Sequence, residues 1–207
     1  MIAIVNYQRG NLDNVLRAFQ SFGFKTVIVS TPEDLSGFSG VVLPGVGAFK
    51  DAMETLRETG FDTAIKAYVA SGKPFMGICL GLQLLFEEGL EFGRHPGLGI
   101  LKGSVVPFKI EEKVPHMGWN QVHFAKPSKI LKEVIQDGDY LYFVHSFYVK
   151  PSDESIVLTR THYGVDFVSA IEQDNIFACQ FHPEKSQETG LKIIKAFGEY
   201  CVGDSGN

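Results

Sequence analysis

The sequence predicts an α/β fold, a mainly parallel central sheet flanked by helices with an additional β-rich antiparallel part. Three observations carry that expectation. Through the first ninety residues short apolar runs alternate with stripes of helical period, the mark of βαβ units and a mainly parallel sheet. From about residue 91 onward strand-like runs follow one another with no long helix between them, as where strands pair antiparallel. Between the two, at Gly77-Ile78-Cys79-Leu80-Gly81, a strand passes into a helix through a turn with glycine on both sides.

The apolar run at 2–5 opens the sheet. Leu12, Val15, Leu16 and Phe19 follow at i, i+3, i+4 and i+7, one face of a helix that Gly23 ends before a strand over 25–29. Thr31-Pro32-Glu33-Asp34 begins a short helix: Thr31 caps, Pro32 suits the first helical position, and Asp34 stands where the reciprocal member of a capping box stands. Val41-Val42-Leu43 is a buried strand ending in Pro44-Gly45-Val46-Gly47, and helical sequence then runs to about Ala70. A strand over 74–78 leads into the cysteine turn, with helix expected over 82–86. In the second half strands are predicted at 105–106, 120–124, 140–149, 155–161, 167–171 and 176–181. A closing helix over 189–201 carries Ile193, Ile194 and Phe197 on one face, fit to cover the sheet. No repeat or flexible linker divides the chain, so residues 1–201 are expected to form a single domain with the β-rich half as a lobe on the same core. Residues 202–207 read as a polar tail.

A chain of 207 residues with 44% hydrophobic content can bury one substantial core. Its net charge is −5, with Lys and Arg dispersed among acids, which argues against a nucleic-acid groove built on phosphate neutralisation. The N-terminus lacks the basic flank and apolar length of a signal segment, and no apolar run approaches the ~20 residues that span a bilayer. A cytoplasmic protein with neither nucleic acid nor membrane as partner is expected. Cys79, Cys179 and Cys201 are odd in number and widely spaced, unlike a disulfide framework or a zinc pattern, and reduced thiols suit that compartment.

Cys79 is the first candidate for chemistry. A turn this sharp needs glycine on either side because neighbouring β-carbons would collide, and a thiol at a helix N-terminus sits where unpaired N–H groups favour an anion. The N–H of Leu80 would face an oxyanion there. A buried cysteine in a βα turn is the plainer alternative. Of the six histidines only His182 has a carboxylate placed to orient it, in Gln180-Phe181-His182-Pro183-Glu184, where Pro183 biases His182 toward extended backbone. Cys79, His182 and Glu184 then supply nucleophile, base and orienter, although His-Pro-Glu alone is also an ordinary turn. The turn around Val46 and Gly47 could supply the second oxyanion N–H, where losing one donor costs ~10²–10³ in kcat; its plainer role is a strand-to-helix connection. Gln83 lies one helical turn from Cys79 and either holds a polar substrate or bonds backbone at the pocket floor. His145-Ser146, near the end of an alternating strand, could offer groups to an amino acid's charged ends. The loop 114–119 carries the only tryptophan, Trp119, an interface anchor if exposed and a tethered turn if buried.

Taken together, PGVG at 44–47, GICLGLQLLF at 77–86, VPHMGWN at 114–120, YFVHSFYV at 142–149 and QFHPEKS at 180–186 resemble the class I, or triad, glutamine amidotransferases. The resemblance runs over residues 1–201 in the family's motif order. The cysteine turn and QFHPE are shared widely across that class. GNL near the N-terminus, PGVG, PHMGWN and YFVHSFY look like the branch whose members dock as glutaminase subunits on a (β/α)8-barrel cyclase. The resemblance implies that glutamine is the substrate, that Cys79 attacks its side-chain amide to form a thioester, and that His182 shuttles the proton while Glu184 orients it. It further implies oxyanion donors from Leu80 and the Val46-Gly47 turn, glutamine contacts at Gln83, His145, Ser146 and Phe147, and a heterodimer interface that includes Asn11, Met117, Trp119 and Lys185. No metal or organic cofactor is implied. The family pattern near D-Y-G-x-G-N-L is broken by Asn6 and Gln8, which touches expected interface contacts and leaves the triad intact. Two readings of other classes stand beside this one: a stand-alone cysteine hydrolase on a related sheet, and a scaffold that binds a partner through the Trp119 loop. Service to another synthase is the neighbouring possibility.

Overall fold

The computed structural model describes residues 1–8, 10–32 and 35–203. Strand β1 (Ile2–Val5), helix α1 (Leu12–Gln20), β2 (Thr26–Val29) and β3 (Gly40–Leu43) open the chain. Helices α2 (Phe49–Thr59) and α3 (Phe61–Ala70), strand β4 (Phe75–Ile78) and the short α4 (Leu80–Leu84) follow. The second half runs through β5 (Phe86–Gly89), β6 (His95–Pro96), β7 (Leu101–Pro107), β8 (His116–Gln121) and β9 (His123–Phe124). It continues with β10 (Tyr140–His145), β11 (Phe147–Pro151), β12 (Val157–Tyr163), β13 (Val165–Gln173), β14 (Ile176–Cys179) and α5 (Gln187–Val202).

Among the described residues one twelve-stranded sheet spans both halves. Its first five strands, in the order β2-β1-β3-β4-β14, are all parallel. At β14 the direction reverses: β13, β11 and β7 add antiparallel, and β12 pairs with β13. Strands β8 and β10 form a separate antiparallel pair, with Tyr142 opposite Trp119 and His145 opposite His116. Strands β1, β3 and β4 are buried along their whole length, as parallel strands covered on both faces must be. Val5, Leu43 and Phe49 pack on one side of the sheet, and Ile4, Phe19, Ile193 and Phe197 on the other. Helix α5 covers that second side as its apolar face predicts, with Phe197 edge-on to Phe19 at 6.3 Å between ring centres.

The departures from expectation have local causes. The helical sequence before Ala70 is two helices, because Gly60 takes the left-handed conformation (φ 78°) and ends α2 with its N–H on the Arg57 carbonyl. The short helix expected from Thr31 is a single 3-10 turn at Leu35–Gly37; Asp34 and its capping role lie outside the described residues. Helix α4 stops at Leu84 because Phe86 already belongs to the sheet. The strand expected over 140–149 divides at Ser146: β10 pairs only in the small sheet and β11 only in the large one. Val202, assigned to the tail, is the last residue of α5, and 204–207 lie outside the described residues. No helix among the described residues is long and apolar enough to cross a membrane.

Candidate active site

Cys79 stands at the carboxyl end of β4, between β3 and β14, with φ 55° and ψ −108°. A side-chain-bearing residue in the left-handed region stores about 1–3 kcal/mol of strain, so the surrounding structure must impose it. It does so from both directions. The Cys79 N–H donates to the Cys179 carbonyl of β14 (2.7 Å), and the Cys79 carbonyl accepts from Leu82 N–H (3.1 Å) in α4. The flanking glycines permit this closeness: a β-carbon on Gly77 would lie 2.9 Å from the Gly81 carbonyl, and one on Gly81 only 1.8 Å from the Leu43 oxygen.

His182 follows β14. Its Nδ1–H donates to Glu184 Oε1 at 2.8 Å, and both side chains are buried. His182 has the extended backbone expected before a proline (φ −101°, ψ 96°), and a 3-10 turn over Pro183–Lys185 returns the carboxylate to the ring. The carboxylate only accepts, so the proton sits on Nδ1 and Nε2 is left as the reactive nitrogen. That Nε2 is buried with no hydrogen-bond partner among the described residues. Burial opposes charge on the ring, but Cys79 and Glu184 outweigh it and push the imidazole up to about 10. The Ser186 hydroxyl clamps the turn, donating to the His182 carbonyl (2.6 Å) while accepting from Tyr142 N–H of β10 (2.9 Å).

A cavity of about 550 Å³ opens above the thiol, lined by Val46, Gly47, Leu80, Gln83 and the segment His145, Ser146 and Phe147. The structure thus gathers the predicted oxyanion and substrate residues around Cys79. Glu91 also lines it, a carboxylate that sequence reading missed. Its position depends on a long-range contact, the acceptance of Phe49 N–H at the start of α2 (2.8 Å), and only its charge next to the glycine-flanked motifs could have flagged it. Gln83 spends both amide hydrogens, on the Phe147 carbonyl (3.1 Å) and on Gln180 Oε1 (2.9 Å), so its own oxygen is what remains for a ligand. The Leu80 N–H, expected to face an oxyanion, donates instead to the Gly45 carbonyl at 3.3 Å.

In the cavity wall and behind it lies a pair of histidines, His145 and His116. His145 donates from Nδ1 to the Phe147 carbonyl (2.8 Å), and its Nε2 accepts from His116 Nδ1–H (2.9 Å). The Nε2 of His116 accepts from Asn120 (3.2 Å). Burial holds both rings neutral, pushing His145 down to about 3 and His116 to about 4. The four residues expected at a partner interface stand apart from the cavity lining. Met117 and Trp119 project from the outer face of β8, 62% and 46% exposed, with Tyr142 edge-on to Trp119. Asn11 is exposed just before α1, and Lys185 is half-buried in the turn after His182.

Residues 3–199 match the family model described as glutamine amidotransferase class-I. The chain is 53% identical to the imidazole glycerol phosphate synthase subunit HisH of Aquifex aeolicus, over 94% of either chain. It is 52% identical to the subunit of that name from Sulfurimonas denitrificans, over 97% of this chain and 98% of the relative. Among solved structures a glutamine amidotransferase superposes with a TM-score of 0.77 at 21% identity, over 98% of this chain and 100% of the other. PurLQS from Thermotoga maritima does so at 0.76 and 20%, over 96% and 97%. Those two likenesses establish the fold, and the family model with the HisH relatives establishes descent: the chain belongs to the class-I glutamine amidotransferases, among the HisH subunits of imidazole glycerol phosphate synthase.

Proposed function

We propose that residues 1–201 form a single glutaminase domain that hydrolyses glutamine with Cys79, His182 and Glu184 and hands the ammonia to a (β/α)8-barrel cyclase. The observation that carries this reading is the buried His182–Glu184 pair, 2.8 Å apart, in the turn after β14, the strand beside the one that carries Cys79 to the base of a cavity. Cys79 Sγ attacks the amide carbon, and the resulting oxyanion collapses as His182 gives its proton to the departing nitrogen. Ammonia leaves and a thioester remains. Water, deprotonated by His182, adds to the thioester, and collapse of this second oxyanion releases glutamate and returns Cys79 and His182 to their starting forms. Glu91 is suited to the substrate's α-ammonium, and the 145–147 segment to its carboxylate.

The Gly45 carbonyl on the Leu80 N–H favours a gated enzyme. That carbonyl and the Val46 N–H belong to one trans peptide group and point in opposite directions. A single rotation of the group withdraws the acceptor from Leu80 and turns the Val46 N–H toward the same space. Each donor gained is worth about 10²–10³ in kcat, so the rotation is a large switch. We place the cyclase against the exposed face of Met117 and Trp119, with Asn11 and Lys185 at its margin, in a cytoplasmic heterodimer. Its products would be imidazole glycerol phosphate and aminoimidazole carboxamide ribotide, made in histidine biosynthesis. The test is glutamate release by this chain alone, and then with a cyclase subunit and its nucleotide ligand, with Cys79→Ala as the blank. Turnover that arises mainly in the full mixture and vanishes in the blank is expected. Equal turnover without the partner would overturn the gating, and none in either would overturn the glutaminase reading.

A further inference from the structure

Gln180 is wholly buried at the end of β14, two residues before His182, and the catalytic scheme above gives it no task. Its side-chain amide lies against the nucleophile, with Nε2 3.5 Å from Cys79 Sγ. We infer that Gln180 is a further catalytic residue, a fixed N–H donor to the Cys79 sulfur that Gln83 aims. This rests on the reading of Cys79 as the nucleophile.

The direction of the amide follows from its neighbours. The Phe147 carbonyl can only accept, so the atom of Gln83 that meets it at 3.1 Å is the NH2 group. That same nitrogen lies 2.9 Å from the Gln180 side chain, which must answer with its oxygen. The Gln180 NH2 is thereby turned to the sulfur. A buried amide left unpaired is costly, and this one is paired at both ends, to Gln83 and to Cys79. The contact discriminates between states of the thiol. A neutral thiol is a weak acceptor, whereas a hydrogen bond to an ion is about twice as strong as one between neutral groups. Gln180 therefore favours the thiolate, and it does so without titrating. The backbone supports the arrangement: β14 ends at Cys179 and the chain bends at Gln180, whose N–H stays fixed on the Ser169 carbonyl (2.8 Å) while the neighbouring Cys179 and Phe181 fill the core.

The test is the rate at which iodoacetamide alkylates Cys79 between pH 5 and pH 9, read by intact mass, with Cys79→Ala subtracting the buried Cys179 and Cys201. Gln180→Met keeps length and removes the donor. Gln180→Glu keeps an acceptor for Gln83 but sets a carboxyl against the sulfur. Gln83→Met leaves Gln180 in place and releases its aim. For Gln180→Met the rate at pH 7 should fall about tenfold and the profile move up by about one pH unit, meeting the parent's plateau at high pH. Gln180→Glu should move further and Gln83→Met less. A filler of space would change reactivity by one factor at every pH, so profiles that coincide after scaling overturn the inference. Should Gln180→Met fail to fold, the other two variants decide it. Shifted profiles in a protein whose parent releases no glutamate, with or without a cyclase, would sink the glutaminase reading and keep this one. Coincident profiles in an active parent would do the reverse.

Discussion

The parallel and antiparallel parts of the sheet hold their shares of the site by different means. On the parallel side, Cys79 is fixed by backbone: a left-handed turn, hydrogen bonds to β14 and α4, and glycines at 77 and 81 where no β-carbon fits. On the antiparallel side, the cavity wall at 145–147 is fixed by buried neutral side chains, Asn120 to His116 to His145 to the Phe147 carbonyl. A nucleophile positioned by steric exclusion should be intolerant of added atoms and indifferent to acid. A wall positioned by neutral imidazoles should tolerate small changes of volume and fail when protonated.

The junction of the two parts is where a substitution should cost most. His182 and Glu184 follow β14, the strand at which the sheet reverses, and serve the nucleophile of one part and lie beside the wall of the other. Glu184→Gln keeps the shape and removes the charge that fixes the proton on Nδ1. A loss of about 10³–10⁴ in kcat is expected, with KM within about threefold and the thermal midpoint little changed. Steady-state glutamate release in the cyclase complex checks it. A loss under tenfold would mean that the turn itself, clamped by Ser186, orients the ring without the carboxylate.

Gly81→Ala attacks the parallel part alone. Alanine in a helix is ordinarily favoured over glycine by about 1 kcal/mol, so intrinsic propensity predicts a gain. The new methyl would stand 1.8 Å from the Leu43 oxygen, with backbone on both sides and no flexible side chain to yield. We expect the clash to win and stability to fall by about 3 kcal/mol, read as a lower urea midpoint at unchanged slope. A neutral result would show that α4 can shift away from β3 and that the nucleophile is less rigidly placed than its glycines imply.

Acid should attack the antiparallel part alone. The folded His145 and His116 titrate near 3 and near 4, below the ordinary imidazole value of 6.5. Between about pH 6.5 and pH 4 the unfolded chain therefore binds protons that the folded chain refuses, and stability falls as pH falls through that window. His145 accounts for up to about 1.4 kcal/mol per pH unit, and His116 for less. His116→Phe should flatten the slope of stability against pH in that range, measured by urea titration. An unchanged slope would place the acid sensitivity elsewhere.

The same contrast explains what could be read from the amino-acid order. The strand–turn–helix at Cys79 is local, needing only an apolar run and two glycines, and it was legible except for the end of the helix, which pairing of Phe86 in the sheet decides. His182 and Glu184 are legible because they are two residues apart, with a proline between them that keeps His182 extended. The break of the long aromatic strand at Ser146 depends on two separate partners, β8 and β7, and nothing inside residues 140–149 announces it. Glu91 and Gln180 were missed for the same reason, since each acquires its place through one contact made across the fold. The occupied Leu80 N–H was equally out of reach, being a choice of peptide orientation that the residues at 45 and 46 permit in either sense.

One residue crosses the division. Gln8 stands on the parallel side, in the loop between β1 and α1, at φ 66°, a conformation the rest of that part reserves mostly for glycine. The related pattern carries glycine there. The loop tolerates the exchange because the Asn6 side chain accepts the Gln8 N–H at 3.0 Å, closing a local turn that holds the backbone left-handed. The strain of a side chain in this region is about 1–2 kcal/mol, and glycine's extra freedom in the unfolded chain returns about 0.5–1 of it. Gln8→Gly should therefore stabilise the protein by at most about 1 kcal/mol, seen as a small rise in the urea midpoint. Asn6→Ala should remove most of the turn's support, and Gln8→Gly should then gain more in the Asn6→Ala background than in the parent. If instead the two changes are additive, Asn6 does not hold Gln8, and backbone control on the parallel side would rest on glycine alone.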